Sequence, residues 1–339
     1  MSDRFERMLS MINAKGLGLE IGASYSPIVP KRKGYNVQVV DHTDAKTLRE
    51  KYADDPNVGK NVQNIEEVDY VWTGGPLDAL IGKPGAYDFI VASHVIEHVP
   101  DLLGFLKSCE TLLKPAGVLA LAVPDKRYCF DYFRPHATVG SILNAHLEGR
   151  SRHSPGTIFD AKMLSCAMRG RIAWMEGWAD PVALIHGPDF AWEQCLEARR
   201  SCDYVDAHAW QFTPSSFRLI LKTLHELRLV NLGEAAFYDT VGCEFMIGLS
   251  KAAPPPHSSY LDLCHAIEME LSAGRVISLN AQQGQVTHMP KTVGIANSAL
   301  AGGQAMPAPS ARSRRPLARR LRKALSLNGL RRIATGQPI

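Results

Sequence analysis

The chain has 339 residues, 45% of them hydrophobic and 21% charged, which is enough apolar content to bury a core and excludes wholesale disorder. Its net charge of +4 is uneven: residues 1–270 carry 27 Lys and Arg against 34 Asp and Glu, while residues 271–339 carry 11 basic residues and no acidic one. The mild average therefore gives no ground for a nucleic-acid partner, and none is expected.

The start, MSDRFERML, lacks the apolar core of a signal peptide, and no apolar run approaches the roughly 18 residues that span a bilayer. Seven cysteines without a CxxC pair read as mostly buried thiols of a reducing compartment. A cytoplasmic protein is the expectation.

In chain order, Gly18 to Ile21 forms a short apolar strand that stops at a Gly/Ser turn. Asn36 to Val40 is β-branched and ends at Asp41; Val68 to Trp72 and Tyr87 to Ser93 are the third and fourth such runs. Leu102, Leu103, Phe105, Leu106, Leu112 and Leu113 recur at helical spacing, and Val118 to Val123 follows as a fifth strand. Strands separated by helical segments predict a doubly wound α/β fold with a mostly parallel sheet.

From Pro124 to about residue 210 the periodicity loosens into a helical insertion that reads as a lid or substrate wall. Regular pattern returns at Thr213-Pro-Ser-Ser, a capped helix start, and Leu229–Phe237 and Glu244–Leu249 predict two closing antiparallel strands. Pro254-Pro-Pro256 marks a boundary, giving a domain over 1–252 and a tail over 253–339. A short helix is expected over Tyr260 to Leu271, and residues 280–316 have a disordered composition.

The segment Gly18-Leu-Glu-Ile-Gly-Ala-Ser carries the chemistry. A strand, a carboxylate at Glu20 and a turn at Gly22 let the backbone approach a ligand at the carboxyl edge of the sheet. Asp41 ends the second strand, where it can take both hydroxyls of a ribose. A nicotinamide-dependent oxidoreductase shares these parts. Against it, two of the three dinucleotide-binding glycines are missing, and Glu20 would repel a pyrophosphate.

The ordered set LEIGASYSP (19–27), VVDHTD (39–44), VDYVWTGGPLDAL (68–80), YDFIVASHVIEHVPDL (87–102) and LLKPAGVLALAVPD (112–125) resembles the class I S-adenosylmethionine-dependent methyltransferases. The resemblance implies a Rossmann-like, seven-stranded, mostly parallel sheet with an antiparallel closing strand. It implies S-adenosylmethionine as cofactor, its methionine part held by Glu20 and the backbone of Gly22, Ala23 and Ser24. Asp41 would take the ribose, with His42, Thr73 and Gly74 around the adenine and Ser93 and His94 beneath the sulfonium. Three positions depart from the family: Ser24 and Thr73 replace a usual glycine and acid, and Pro115-Ala-Gly117 replaces Pro-Gly-Gly.

His98 is the candidate general base if the acceptor is a hydroxyl; packing of its helix is the alternative role. Asp125, Arg127, Tyr128, Arg134, His208 and Trp210, with Asp131 and Asp206, suit a polar ring such as a sugar. Phe212, Phe217 and Trp210 could equally be core anchors. The segment His208-Ala-Trp-Gln-Phe-Thr-Pro214 is similar to a bacterial subfamily often linked to surface-polysaccharide assembly, which implies a small-molecule or glycan acceptor. A non-catalytic methyltransferase-like binding module is the alternative. No acidic cluster of the metal-dependent catechol type is visible, so no metal is expected. Finally, residues 312–332 form a basic amphipathic segment suited to an anionic membrane surface.

Overall fold

A computed structural model of the chain describes residues 3–55, 58–178, 180–201 and 203–273. The basic segment 312–332 and the low-complexity stretch 280–316 lie outside these residues. Among the described residues no helix is long and apolar enough to cross a membrane.

The chain opens with helix α1 (Asp3–Ser10), then strand β1 (Gly18–Ile21), β2 (Val37–Asp41), α2 (Ala45–Tyr52), the two-residue β3 (Tyr70–Val71) and α3 (Leu77–Ile81). Strand β4 (Tyr87–Ser93), helix α4 (Leu102–Leu112) and strand β5 (Leu113–Pro124) follow. After β5 come α5 (Val139–Leu147), α6 (Pro155–Met163), a small hairpin sheet of β6 (Cys166–Met168) and β7 (Val182–Leu184), and α7 (Pro188–Arg200). Helix α8 (Pro214–Glu226), strands β8 (Gly233–Val241) and β9 (Glu244–Ser250), and helix α9 (Tyr260–Ala273) complete the fold.

The main sheet has the order β3-β2-β1-β4-β5-β9-β8. The pairs among β1 to β5 are parallel, and β9 runs antiparallel to both β5 and β8. This is the expected doubly wound sheet, with the helical insertion after its fifth strand.

Alternation along the central strands divides the core into two faces. Phe89, Val91, Ala120 and Ala122 pack with Met8, Met11, Ile28 and Met246 on one face. Ile90, Ala92, Leu119, Leu121 and Val123 face the other way, into the apolar stripes of α4 and α8. Helix α8 starts where the sequence places it. Thr213 and Ser216 form a reciprocal capping box, and Pro214 occupies the first turn, where its missing N–H costs nothing.

The expected boundary at residue 252 is moved by α9. Leu263 and Ile267 are buried, α9 packs on α8, and Glu270 accepts from Ser215 N (3.1 Å) and Ser215 Oγ (2.7 Å) at the start of α8. The body therefore continues through α9. The connection after β9 also adds to the sheet margin. Glu234 N donates to the Pro254 carbonyl (2.8 Å), and a Cβ at Gly233 would lie 2.1 Å from the Ala253 oxygen.

Candidate active site

A cavity of about 310 Å³ opens at the carboxyl ends of the central strands, within the range of small-ligand sites. Its first wall is the turn after β1. Gly22 takes φ 70°, and Ser24 takes φ 42°, a conformation that disfavours residues with a Cβ. The buried Glu20 carboxylate holds this loop by accepting from Ile28 N (2.5 Å) and Val29 N (3.1 Å). Burial pushes the Glu20 carboxyl up to about 7 in spite of those two donors. Glu20 thus lines the cavity while its oxygens shape the loop.

The floor joins β4, β9 and α1. Ser93 and His94 end β4, with His94 at φ 54°, a second left-handed non-glycine residue facing the same cavity. His94 Nε2 donates to Glu244 Oε2 (2.7 Å), and Arg4 reaches from α1 to Glu244 (Nε to Oε1, 2.5 Å) and to Ser93 Oγ. Burial would raise the Glu244 carboxyl, yet the His94 hydrogen bond and the charges of His94 and Arg4 hold it at about 2. Sequence reasoning missed Arg4 and Glu244, because no local pattern links residues 240 positions apart.

On the far side stand Glu97 and His208, with His98 directly behind. Glu97 is fully buried, and among the described residues neither of its carboxylate oxygens has a hydrogen-bond partner. Three imidazole nitrogens surround its Oε1: His94 Nδ1 at 3.6 Å, His98 Nε2 at 3.9 Å and His208 Nε2 at 4.0 Å. His98 Nδ1 is bound to Asp206 Oδ1 (2.7 Å), and His208 Nδ1 to Asp131 Oδ2. Burial works against charge on His98, but the Asp206 carboxylate outweighs it and raises the ring to about 9. Asp206 is in turn held near 2, against its own burial, by His98.

The sequence-predicted residues divide clearly. Glu20, Gly22, Ala23, Ser24, Ser93, His94 and His208 line the cavity. Asp41 sits one strand over, its Oδ2 accepting from Ser24 N (3.1 Å) and its Oδ1 from His42 N (2.8 Å). The His42 ring lies between Asp41 Oδ1 (2.7 Å) and Lys51 Nζ (2.9 Å). Thr73 and Gly74 are exposed beyond the β3 edge.

Among the acceptor candidates, Asp125 and Arg127 do not line the cavity. They form a buried bidentate pair (2.9 and 2.5 Å) that also holds Thr240 Oγ1 (2.7 Å), joining β5 to β8. Tyr128 packs with Cys166, Met168 and Trp174 in a small core. Arg134 binds Asp131 (2.9 Å) and the His208 carbonyl (2.6 Å), and with Trp210 it lines a separate cavity of about 300 Å³. Trp210 is buried and donates its indole N–H to Val99 O (2.7 Å), while Phe212 and Phe217 sit in the main core. His98 is not part of the cavity wall, because Asp206 turns its free nitrogen toward Glu97.

These residues fit a cationic nucleoside cofactor. The glycine turn admits close backbone approach, Asp41 stands on the adjacent strand end, and Glu20, Glu97 and Glu244 make an acidic wall suited to an ammonium and a sulfonium.

A family model described as a methyltransferase domain matches residues 1–221. The ubiquinone biosynthesis O-methyltransferase of Xanthomonas campestris pv. campestris is 40% identical over 49 residues, 14% of this chain and 20% of that protein. The chain thus spans about a fifth of the length of such curated relatives. Among solved structures, a SAM dependent methyltransferase from Aquifex aeolicus has TM-score 0.33 at 14% identity, covering 72% of this chain and 87% of its own. The CcbJ methyltransferase from Streptomyces caelestis has TM-score 0.37 at 12% identity, covering 73% and 93%. With its matched family model, sheet order and glycine turn, the chain belongs to the class I methyltransferase-domain family, and its cofactor is S-adenosylmethionine.

Proposed function

We propose that the chain moves a methyl group from S-adenosylmethionine to an oxygen of a small polar, glycan-related acceptor. The observation that carries this reading is the single cavity in which the Gly22–Ser26 turn and the Ser93–His94 floor meet Glu97 and His208. Bound there, the cofactor supplies an electrophilic methyl on a sulfonium with a good leaving group. Positioning is then the main catalytic need, and effective molarity can supply about 7–11 kcal/mol of the barrier.

The residues divide that task. The Gly22–Ser26 backbone and Asp41 hold the cofactor, and Glu244 and Glu97 favour its positive charge. Glu97 and His208 face the acceptor side and take a hydroxyl by hydrogen bonding. Phe130, whose ring centroid lies 4.5 Å from that of His208, offers an apolar face for a sugar ring. The oxygen target is further supported by the O-methyltransferase name of the relatives.

Calorimetry with S-adenosylhomocysteine and NAD tests the cofactor half; tight NAD binding with no response to S-adenosylhomocysteine overturns it. Mass spectrometry of envelope glycans from a deletion strain tests the acceptor half. Loss of a single methyl from a sugar hydroxyl is expected, and unchanged glycans overturn the glycan assignment.

A further inference from the structure

We propose that Glu97, His98 and His208 form a binding site for one divalent transition-metal ion, opening into the cofactor cavity. The expectation of a metal-free protein is thereby revised, and the proposal goes beyond methyl transfer, because the ligand set stands on geometry alone. One ligand atom from each of the three residues lies within 4.8 Å of the others. Two imidazoles and one carboxylate suit zinc or iron, leaving further coordination positions for water or substrate.

Three observations point to a cation rather than a self-contained ion-pair network. First, both Glu97 oxygens and His98 Nε2 are buried without a hydrogen-bond partner among the described residues. Buried polar atoms are nearly always satisfied, so these orphans, with Glu97 Oε1 and His98 Nε2 3.9 Å apart, need an account. A pure ion-pair network would draw a donor to within about 3 Å of the carboxylate; here the imidazole nitrogens stand 3.6 to 4.0 Å from it. That spacing surrounds a gap between the groups. A small ion would draw both nitrogens and the carboxylate inward to contact it.

Second, each imidazole is oriented through its other nitrogen by a carboxylate, His98 by Asp206 and His208 by Asp131. The Nδ1–H donates to the carboxylate, and Nε2 is aimed at Glu97; a bound ion would displace any proton from that nitrogen and take up its lone pair. Carboxylate–histidine–metal arrangements have this form, and the outer carboxylate fixes tautomer and ring direction. Third, the backbone is braced. Ala209 N donates to Glu97 O (2.6 Å), and Tyr204 Oη donates to His98 O (3.0 Å). The segment that carries His208 is therefore hung directly on the turn carrying Glu97 and His98.

Because Glu97 and His208 both line the cavity, the open coordination positions face the acceptor. This further consequence rests on the methyl-transfer reading. An acceptor hydroxyl bound to the ion loses its proton to solvent water more readily. The oxygen lone pair then forms the bond to the methyl carbon as the carbon–sulfur pair returns to sulfur, giving a methyl ether and S-adenosylhomocysteine.

The test uses the full chain without an affinity tag, stripped with EDTA and dialysed. Zn²⁺ bound after gel filtration is counted by elemental mass spectrometry, and Co²⁺ is titrated while its visible d–d absorption is followed. One ion per chain is expected, with a cobalt spectrum of low-symmetry nitrogen and oxygen ligation. Glu97→Gln and His208→Ala are expected to lose the ion. Asp206→Asn, which touches no metal, should weaken binding by about 10–100-fold while keeping the fold; His257→Ala on the surface should bind as wild type. S-adenosylhomocysteine calorimetry on wild type, Asp206→Asn and His257→Ala reports an intact cofactor site, and thermal melts report that Glu97→Gln and His208→Ala are folded. Wild type that binds S-adenosylhomocysteine but neither ion overturns the metal site and leaves methyl transfer standing. Folded Glu97→Gln or Asp206→Asn that binds Co²⁺ as tightly as wild type also overturns it.

Discussion

Arg4 Nε lies 2.5 Å from Glu244 Oε1, tying the first helix to the first residue of the antiparallel strand at the cavity floor. With Glu244 largely buried and Arg4 partly so, removing the guanidinium leaves a buried carboxylate paired with His94. Arg4→Met is expected to cost about 2 kcal/mol of stability and to weaken S-adenosylhomocysteine binding; thermal melts with calorimetry check both. Glu244 also sets an acid response. Its folded value of about 2 lies below the ordinary 4.5, so its contribution is complete above pH 4.5 and is lost as pH falls toward 2. Glu244→Gln should flatten that limb of the stability curve.

Glu20 has the opposite sign. Burial raises its folded value to about 7, so its contribution is complete below pH 4.5 and is lost as pH rises through 7. In cofactor-free protein the stability advantage of wild type over Glu20→Gln should shrink between pH 5 and 9, by on the order of 3 kcal/mol. Denaturant melts at several pH values measure it, and a gap that stays constant would count against this account.

Ser24 carries a Cβ at φ 42°, where left-handed backbone costs a non-glycine residue roughly 1–2 kcal/mol. Ser24→Gly should raise the melting temperature by about 2–4 °C for a domain of this size. Ser24→Val should lower it, since a β-branched side chain tolerates that region least. Differential scanning calorimetry separates the two.

Trp210 serves as a core anchor. Trp210→Phe leaves the Val99 carbonyl unpaired in the core and is expected to cost about 1–3 kcal/mol. S-adenosylhomocysteine affinity should be unchanged, because Trp210 lies outside the cofactor cavity. A large loss of cofactor affinity in a folded variant would contradict that placement.

The parts legible in the sequence were those written in local patterns. The strand of residues 87–93, the Gly22 turn and the Thr213 cap depend on neighbours a few positions away, and they stand where the pattern puts them. Asp125 and Arg127 show the limit of such reading. Composition gives a polar pair suited to a ligand, but two residues apart on a turn they satisfy each other and Thr240 instead. His98 and His208 lie 110 positions apart, and their shared focus on Glu97 arises only when the insertion returns across the end of β4. Helix α9 escaped the domain boundary because the prolines before it signal a linker equally well whether or not the next helix docks.

The bond from Glu234 N to the Pro254 carbonyl bears on how the sheet meets other chains. A sheet margin with a long row of free backbone groups is a template for unwanted strand addition. At one margin β3 is only two residues long; at the other, β8 has irregular register and its first turn is already occupied by the departing chain. A second copy seeking to extend the sheet at β8 meets the Pro254 connection at the start of that strand, so the short link that leads to α9 also shortens the open margin.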